Sequence, residues 1–240
     1  MICFLFTKQG SLAQEWQAIS WHYFLIGILV PGVEVGFIAM YHSGWQVSKA
    51  ALTADVLVTS LLVLIGMLVF GEHLSLINLA GVLCCFAGVI MLERYARRTH
   101  KTGFYYGSLA IVIAANLGYH LVSRSIPVGG NQFLGIAGAY LLASVLCFLA
   151  GVLTRKGPLL KEWKETPLHY LLFGLFVPGL EAGFILMYHN GWQVSQGALV
   201  ADILTSTLAV VGVALFHDRL TGINWVGILL CFAGVIMVAL

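Results

Sequence analysis

Residues 30–57 read VPGVEVGFIAMYHSGWQVSKAALTADVL, and residues 177–204 read VPGLEAGFILMYHNGWQVSQGALVADIL. At a constant offset of 147 residues, 20 of these 28 positions are identical. A shared apolar composition would not produce this identity, so the chain contains an internal duplication. Each copy carries two acids within apolar sequence, Glu34 with Asp55 and Glu181 with Asp202. Because a charge is costly inside a lipid bilayer, their repetition indicates a function.

The composition of the chain is that of a membrane protein. Of the 240 residues, 60% are hydrophobic and 9% are charged, and the mean hydropathy is +0.95. A soluble domain needs about a quarter charged residues to cover its surface. The formal net charge of +2 is too small to indicate a nucleic-acid partner. We therefore expect the lipid bilayer to surround the chain.

The apolar sequence divides into segments that are long enough to cross a bilayer, which takes about 20 residues. We predict an all-α membrane protein with eight complete transmembrane helices and a partial one at residues 1–6. The complete spans lie at about residues 20–41, 48–70, 75–92, 104–122, 132–153, 168–188, 195–216 and 222–240.

The number of spans sets the relation between the two copies. Five crossings separate residues 20–41 from residues 168–188. An odd number of crossings turns one copy upside down relative to the other. This inverted-repeat helical bundle is the design of many secondary transporters.

A second repeated motif marks the end of each copy. Asn78 and residues 85–91 match Asn224 and residues 231–237 at an offset of 146. We therefore divide the chain into two domains. They are an incomplete first repeat at residues 1–98 and a second repeat at residues 99–240.

The basic residues predict the orientation. Ten of the 12 lysines and arginines lie on one side of the membrane, and only Lys8 and Arg124 lie on the other. Cytoplasmic connections carry the excess of positive charge. We therefore predict a multi-pass protein of the cell (inner, plasma) membrane. The connections between the third and fourth spans and between the fifth and sixth spans are expected in the cytoplasm.

A proline lies in the middle of the first span of each copy. Pro31 and Pro178 each follow a glycine by four residues, Gly27 and Gly174. A proline removes one backbone hydrogen bond and clashes with the preceding turn, and the glycine relieves that clash. The pattern predicts a kinked or broken helix with a free carbonyl group at membrane depth. Such groups persist only where they face protein or a wet cavity.

The glycines after each proline have the spacing that lets helices pack closely. Gly32 with Gly36, and Gly179 with Gly183, form G-x-x-x-G pairs. The glutamate between each pair lies about 200° round the helix from its first glycine. We expect one face to contact a neighbouring helix and the opposite face to line a cavity.

The four acids are predicted to lie near the middle of the membrane. In each copy, the glutamate and the aspartate lie about ten residues on either side of a Gly-Trp turn, or about 15 Å, which is half of the hydrocarbon core. Neighbouring carboxyl groups in such surroundings cannot all ionise, so a site that holds a proton or a cation, but not both, would couple exchange. The alternative is that they stay protonated and hydrogen-bond between helices, the aspartates in particular.

Aromatic and polar residues flank these acids. Tyr41, Trp45, Tyr188 and Trp192 are candidates for an aromatic belt at the membrane surface or, alternatively, for a substrate gate. His42 and His189 are either proton carriers or solvated surface residues. Asn116 and His120 lie on one side of a helix that is expected to line the same cavity.

Two hairpin sequences resemble a known family. Residues 70–75 read FGEHLS and precede Gly81 and residues 86–89, which read FAGV. Residues 216–220 read FHDRL and precede Gly227 and a second FAGV. These residues resemble the hairpin between the last two helices of each repeat in the drug/metabolite transporter superfamily, in its EamA-like branch.

The resemblance implies a transporter of small metabolites that works by alternating access. The family has about ten helices in two inverted repeats, so from the resemblance we expect about 45 residues of the first repeat to be missing here. We expect a small polar or amphipathic substrate, coupling to protons through the acids, and no metal or cofactor. Neither H-E-x-x-H nor G-x-S-x-G occurs in the sequence, so we do not expect an enzyme. The alternative is a truncated, non-transporting membrane protein, or a half-site completed by a partner chain such as a second copy in a homodimer.

Overall fold

The computed structural model describes residues 12–71, 75–93, 102–127, 130–154, 157–158, 164, 170–195, 197–198 and 221–239. Within these ranges the regular structure is entirely helical. The helices are α1 (Leu12–Gln17), α2 (His22–His42), α3 (Val47–Phe70), α4 (Leu76–Glu93), α5 (Thr102–Ser125), α6 (Gln132–Thr154), α7 (Tyr170–His189) and α8 (Gly222–Ala239). Seven of the eight predicted spans overlap one of these helices. The eighth, residues 195–216, lies almost wholly outside the described residues.

Four of the described helices are long and apolar enough to cross a membrane. They are His22–His42, Lys49–Phe70, Gly103–Ser125 and Gln132–Thr154. Shorter apolar helices run over Leu76–Met91 and Gly222–Met237. The chain is therefore a helical protein that is suited to a membrane. Four features stay predictions. They are the total of eight spans, the inverted repeat, the kind of membrane, and the side of the membrane on which each loop lies.

The two helices that contain a central proline are continuous. Pro31 lies within α2 and Pro178 within α7. Neither helix is interrupted there, and a kink at either proline stays a prediction. Gly27 has a second reason to be glycine, since a Cβ atom there would lie 2.6 Å from the backbone oxygen of Ala139 in α6. At Gly174, a Cβ atom would have no described heavy atom within 4 Å.

The helices group into two compact units. The first unit is Met1–Pro31 with Leu121–Gly191, and the second is Gly32–His120 with Trp192–Leu240. Each unit combines residues from both predicted repeats. The division into repeats at residue 98 rests on the sequence and stays a prediction.

Among the described residues of the second unit, two hydrophobic clusters form the core. The first joins α3, α4 and α8 through Leu52, Val56, Cys85, Val89, Ile228, Cys231 and Val235. The second joins the end of α2, the α2–α3 turn, α3 and α5 through Met40, Trp45, Ala50, Ala54, Tyr105, Leu109 and Val112. The α2–α3 hairpin is therefore held against α5.

The start of α4 has a reciprocal cap that also reaches another helix. The Ser75 hydroxyl accepts a hydrogen bond from the backbone N–H of Asn78 at 3.2 Å, and Asn78 Oδ1 accepts one from the N–H of Ser75 at 2.8 Å. This arrangement satisfies N–H groups that the first turn of a helix leaves unpaired. The amide nitrogen of Asn78 then donates to the carbonyl of Met237, in the last turn of α8, at 3.3 Å.

The start of α8 repeats this arrangement. Asn224 Oδ1 accepts from the backbone N–H of Thr221 at 3.0 Å and from its hydroxyl at 2.9 Å. The amide nitrogen of Asn224 donates to the carbonyl of Met91, in the last turn of α4, at 3.2 Å. Each helix therefore begins beside the end of the other, so α4 and α8 pack antiparallel.

Between these two caps, the backbones of α4 and α8 approach closely. A Cβ atom at Gly88 would lie 2.5 Å from Cys231 Sγ, and one at Gly234 would lie 2.6 Å from Cys85 Sγ. Each sulfur lies 3.7–3.8 Å from the carbonyl oxygen of the opposite cysteine. Glycine lets two helices come this near, and the buried cysteines fill the interface as small, weakly polar side chains.

Candidate functional site

Two of the predicted acids lie near one phenol in the second unit. Glu34 lies at an exposed position of α2, and Asp55 is half-buried in α3. Both carboxyl groups lie near the hydroxyl of Tyr41, which follows Glu34 by two helical turns on the same side of α2. Tyr41 is 40% exposed. The second unit thus brings two carboxyl groups and a phenol into one partly accessible region.

The opposite side of α2 packs against α5. A Cβ atom at Gly32 would lie 3.2 Å from the Cβ of Ala115. At Gly36 it would lie 2.6 Å from Val112 Cγ2 and 3.1 Å from the backbone nitrogen of Val112. The two glycines let α2 pack closely against α5. Glu34 lies between them in the sequence, faces away from α5 and is exposed.

The turn after the first helix of each copy has the same backbone geometry. Gly44 has a φ of 102° and donates from its N–H to the carbonyl of Tyr41 at 3.1 Å. Gly191 has a φ of 89° and donates to the carbonyl of Tyr188 at the same distance of 3.1 Å. A side chain strains this backbone conformation and glycine does not, which explains the repeated Gly-Trp.

Trp45 is a packing residue of the second unit. Its ring stacks on Tyr105 at a centroid distance of 4.5 Å, and its Nε1–H donates to the carbonyl of Tyr105 at 3.2 Å. Trp45 is 5% exposed, whereas Trp192, the equivalent residue of the second copy, is 41% exposed. The first tryptophan is therefore packed against α5, and a gating role for either one stays a prediction.

Replacing the two tryptophans by alanine is expected to have unequal effects on stability. Trp45→Ala removes a buried ring and one hydrogen bond, which should lower the free energy of unfolding by about 3–5 kcal/mol. Trp192→Ala removes a largely exposed ring and should cost less than about 1 kcal/mol. Unfolding of the purified variants in mixed detergent micelles, followed by circular dichroism, measures both. Equal losses would contradict the described burial of Trp45.

The acid of the second copy has different surroundings. Glu181 lies in α7 of the first unit and is 3% exposed, and Tyr188 is equally buried. Cβ atoms at Gly179 and Gly183 would have no described heavy atom within 4 Å. The arrangement in α7 thus differs from that in α2, because here the acid is buried and no described heavy atom lies near the glycines. Asp202 lies outside the described residues, and a common site of the four acids stays a prediction.

His189 ties the end of α7 to the α5–α6 connection. Its Nε2 lies 3.1 Å from the carbonyl oxygen of Ile126, and its Nδ1 contacts the side-chain amide of Gln132. Because a carbonyl only accepts, Nε2 carries the proton and Nδ1 accepts from the Gln132 amide. His189 therefore has a structural role in the first unit. His42, its equivalent in the first copy, is exposed.

The remaining predicted lining residues lie on α5. His120 is 5% exposed and meets the ring of Tyr119 edge-on at 5.1 Å, and Asn116, one turn earlier, is half-buried. Their contribution to a cavity stays a prediction.

Two kinds of contact were not predicted from the sequence. The caps of Asn78 and Asn224 could have been predicted from a sequence pattern. Ser-x-x-Asn precedes one apolar run and Thr-x-x-Asn precedes its repeat, and both are variants of the capping box. No sequence pattern predicts the contacts of Tyr105 and Gln132, because each contacts a residue about 60 positions away along the chain.

Comparisons with known proteins add support for the fold. No protein-family model matches the chain, and no curated protein does. A solved crystal structure of a protein aligns with 91% of this chain and 76% of its own, with a TM-score of 0.59 and 19% sequence identity. At this identity the likeness concerns the helical fold alone.

Proposed function

We propose that the chain is a secondary transporter of small polar or amphipathic metabolites that works by alternating access. The observation that carries the proposal is the placement of Glu34 and Asp55, on two neighbouring apolar helices, near the hydroxyl of Tyr41. Two carboxyl groups in apolar surroundings bind a proton or a cationic or hydrogen-bonding solute in competition. This competition couples solute movement to proton movement.

The antiparallel pairing of α4 and α8 supports the same proposal. The matching contacts of Asn78 and Asn224 relate these two helices by a local two-fold. Inverted repeats related in this way let a transporter open alternately to each side of the membrane around one site. Glu34, which is exposed, is the group that would meet the solute, and Glu181 would provide the equivalent carboxyl group of the second copy.

A second candidate function is a half-site that needs a partner chain. The glycine pair of α7 favours it, because no described heavy atom lies within 4 Å of either Cβ position, whereas α5 covers the same pair in α2. In that case the purified chain would be inactive alone and would gain activity on assembly.

Reconstitution into sealed liposomes tests the transporter proposal. We expect an imposed pH gradient to drive accumulation of a solute from a panel of labelled amines, amino acids, sugars and nucleosides. In the reverse experiment, adding that solute should move protons, measured with an internal pH dye. Empty liposomes and a protonophore are the controls. The absence of both solute flux and proton movement across the whole panel would contradict the proposal for the chain on its own.

A further inference from the structure

The exposed acid of α2 shares its side of the helix with two aromatic rings. Phe37 and Tyr41 follow Glu34 by three and seven residues, a spacing that places all three on one side of a helix. The two rings stack at a centroid distance of 6.2 Å and an interplanar angle of 27°. Phe37 also packs against the cluster that joins α2, α3 and α5, so the ring pair has a defined position beside the carboxyl group.

The second copy has the same pair of rings. Phe184 and Tyr188 follow Glu181 at the same spacing in α7, and their rings stack at 6.1 Å and 30°. All three of these residues are buried, with exposed fractions of 7%, 1% and 3%. In the first copy, by contrast, Tyr41 is 40% exposed. The ring geometry is therefore retained in both copies, and the first copy presents it at an accessible position.

The carboxyl groups set the charge of the solute that this region favours. Glu34 and Asp55 both lie near the hydroxyl of Tyr41. When ionised, they repel an anionic solute and attract a cationic one. Lys49, the basic residue of α3, precedes Asp55 by six residues, which places it about 9 Å away along the axis and on a different side of the helix. The region therefore favours a cation.

The rings decide between kinds of cation. A small inorganic cation prefers oxygen ligands, and the face of a ring offers it none. A substituted ammonium carries its charge among apolar groups, so it gains from the negative face of a ring as well as from a carboxylate. The ring of Tyr41 is partly exposed and its hydroxyl lies near both acids, so one solute can make both contacts there.

We propose that Phe37 and Tyr41 make the Glu34–Asp55 region selective for a monovalent organic cation, a substituted ammonium, over an inorganic cation or an uncharged solute. Tyr41 determines the specificity, and Phe37 positions its ring. The proposal rests on the proposed function and narrows it, because it names the chemical class of the solute. It concerns binding, so it can be measured without transport.

Choline and its uncharged carbon analogue, dimethylbutanol, are the matched probes, since they have the same shape and only choline carries a charge. Each is titrated into the purified full chain by isothermal titration calorimetry, in a maltoside detergent that contains no quaternary ammonium. We expect saturable binding of choline, at least about tenfold tighter than binding of the uncharged alcohol or of K⁺.

Substitutions of tyrosine separate the ring from its apolar bulk. Tyr41→Leu should weaken choline binding at least about fivefold, because leucine keeps the bulk and loses the ring face. Tyr41→Phe keeps the ring and should keep the preference for choline over the alcohol. Tyr106→Leu is the matched control, because Tyr106 is also 40% exposed in the second unit but lies on α5 against Tyr105, and binding should be unchanged. Circular dichroism checks that each variant is folded.

Three results would overturn the proposal. They are no binding of choline, equal binding of choline and the uncharged alcohol, and choline binding that Tyr41→Leu does not weaken more than Tyr106→Leu. Transport in liposomes separates this proposal from the proposed function. Movement of another solute without choline binding would leave the transporter proposal standing and overturn this one. Selective choline binding without movement of any solute would support this one and count against transport.

Discussion

Glu34→Gln combined with Glu181→Gln is expected to reduce pH-dependent exchange to the level of empty liposomes. Glutamine keeps the size and the hydrogen-bonding oxygen of glutamate but neither binds nor releases a proton in the working range. Without the exchangeable proton, the competition between proton and solute is lost. Either single variant should slow exchange at least about tenfold, which corresponds to about 1.4 kcal/mol in the barrier.

The different surroundings of the two acids make the single variants informative. Glu34 is exposed, so Glu34→Gln should leave the stability of the protein nearly unchanged. Glu181 is 3% exposed, so its amide must satisfy buried partners and a larger change in stability is expected. Glu15→Gln is the matched control, because Glu15 accepts a hydrogen bond from Asn131 outside the predicted spans and glutamine can still accept it. A folded double variant with unchanged pH-dependent exchange would remove both acids from the mechanism.

The second large effect is expected at the interface of α4 and α8. Gly88→Leu should destabilise the protein by about 3 kcal/mol, the upper end for overpacking, because the new Cβ atom meets backbone as well as a side chain. Its neighbours would be Cys231 Sγ at 2.5 Å, the Gly227 carbonyl oxygen at 2.7 Å and the Cys231 nitrogen at 2.9 Å. Gly234→Leu should have the same effect, since its Cβ atom would meet the equivalent atoms of α4, which belong to Cys85 and Gly81.

Gly107→Leu is the control for this pair, because a Cβ atom at Gly107 meets no described heavy atom within 4 Å. It should unfold at the same detergent concentration as the natural chain, or slightly higher because leucine favours a helix. Unfolding in mixed micelles gives the ranking. A Gly88→Leu protein as stable as the Gly107→Leu control would show that α4 and α8 do not approach as described.

The helices and the turns could be predicted from the sequence because they depend on local pattern. Runs of about 20 apolar residues define the long helices. The repeated Gly-Trp defines a turn that needs positive φ, which Gly44 and Gly191 both adopt. Equal sequences gave equal local geometry in the two copies.

The surroundings of each site residue could not be predicted in this way, because they depend on distant parts of the chain. Trp45 and Trp192 share a motif, yet α5 buries only the first. Glu34 and Glu181 also share a motif and differ in exposure. The duplication therefore predicts which residues recur, but not how the rest of the chain surrounds them in each copy.

The two capping asparagines have a consequence for which insertions and deletions this protein tolerates. Each asparagine lies 13 residues before the methionine that accepts a hydrogen bond from the other helix, at Asn78 and Met91 and at Asn224 and Met237. Adding or removing one residue between the asparagine and the methionine of one helix would rotate these two residues relative to each other by about 100°. Both end contacts would then be broken. The offset between the copies falls from 147 to 146 before Asn224, so the one length change in this part of the duplication lies outside the α4–α8 pair.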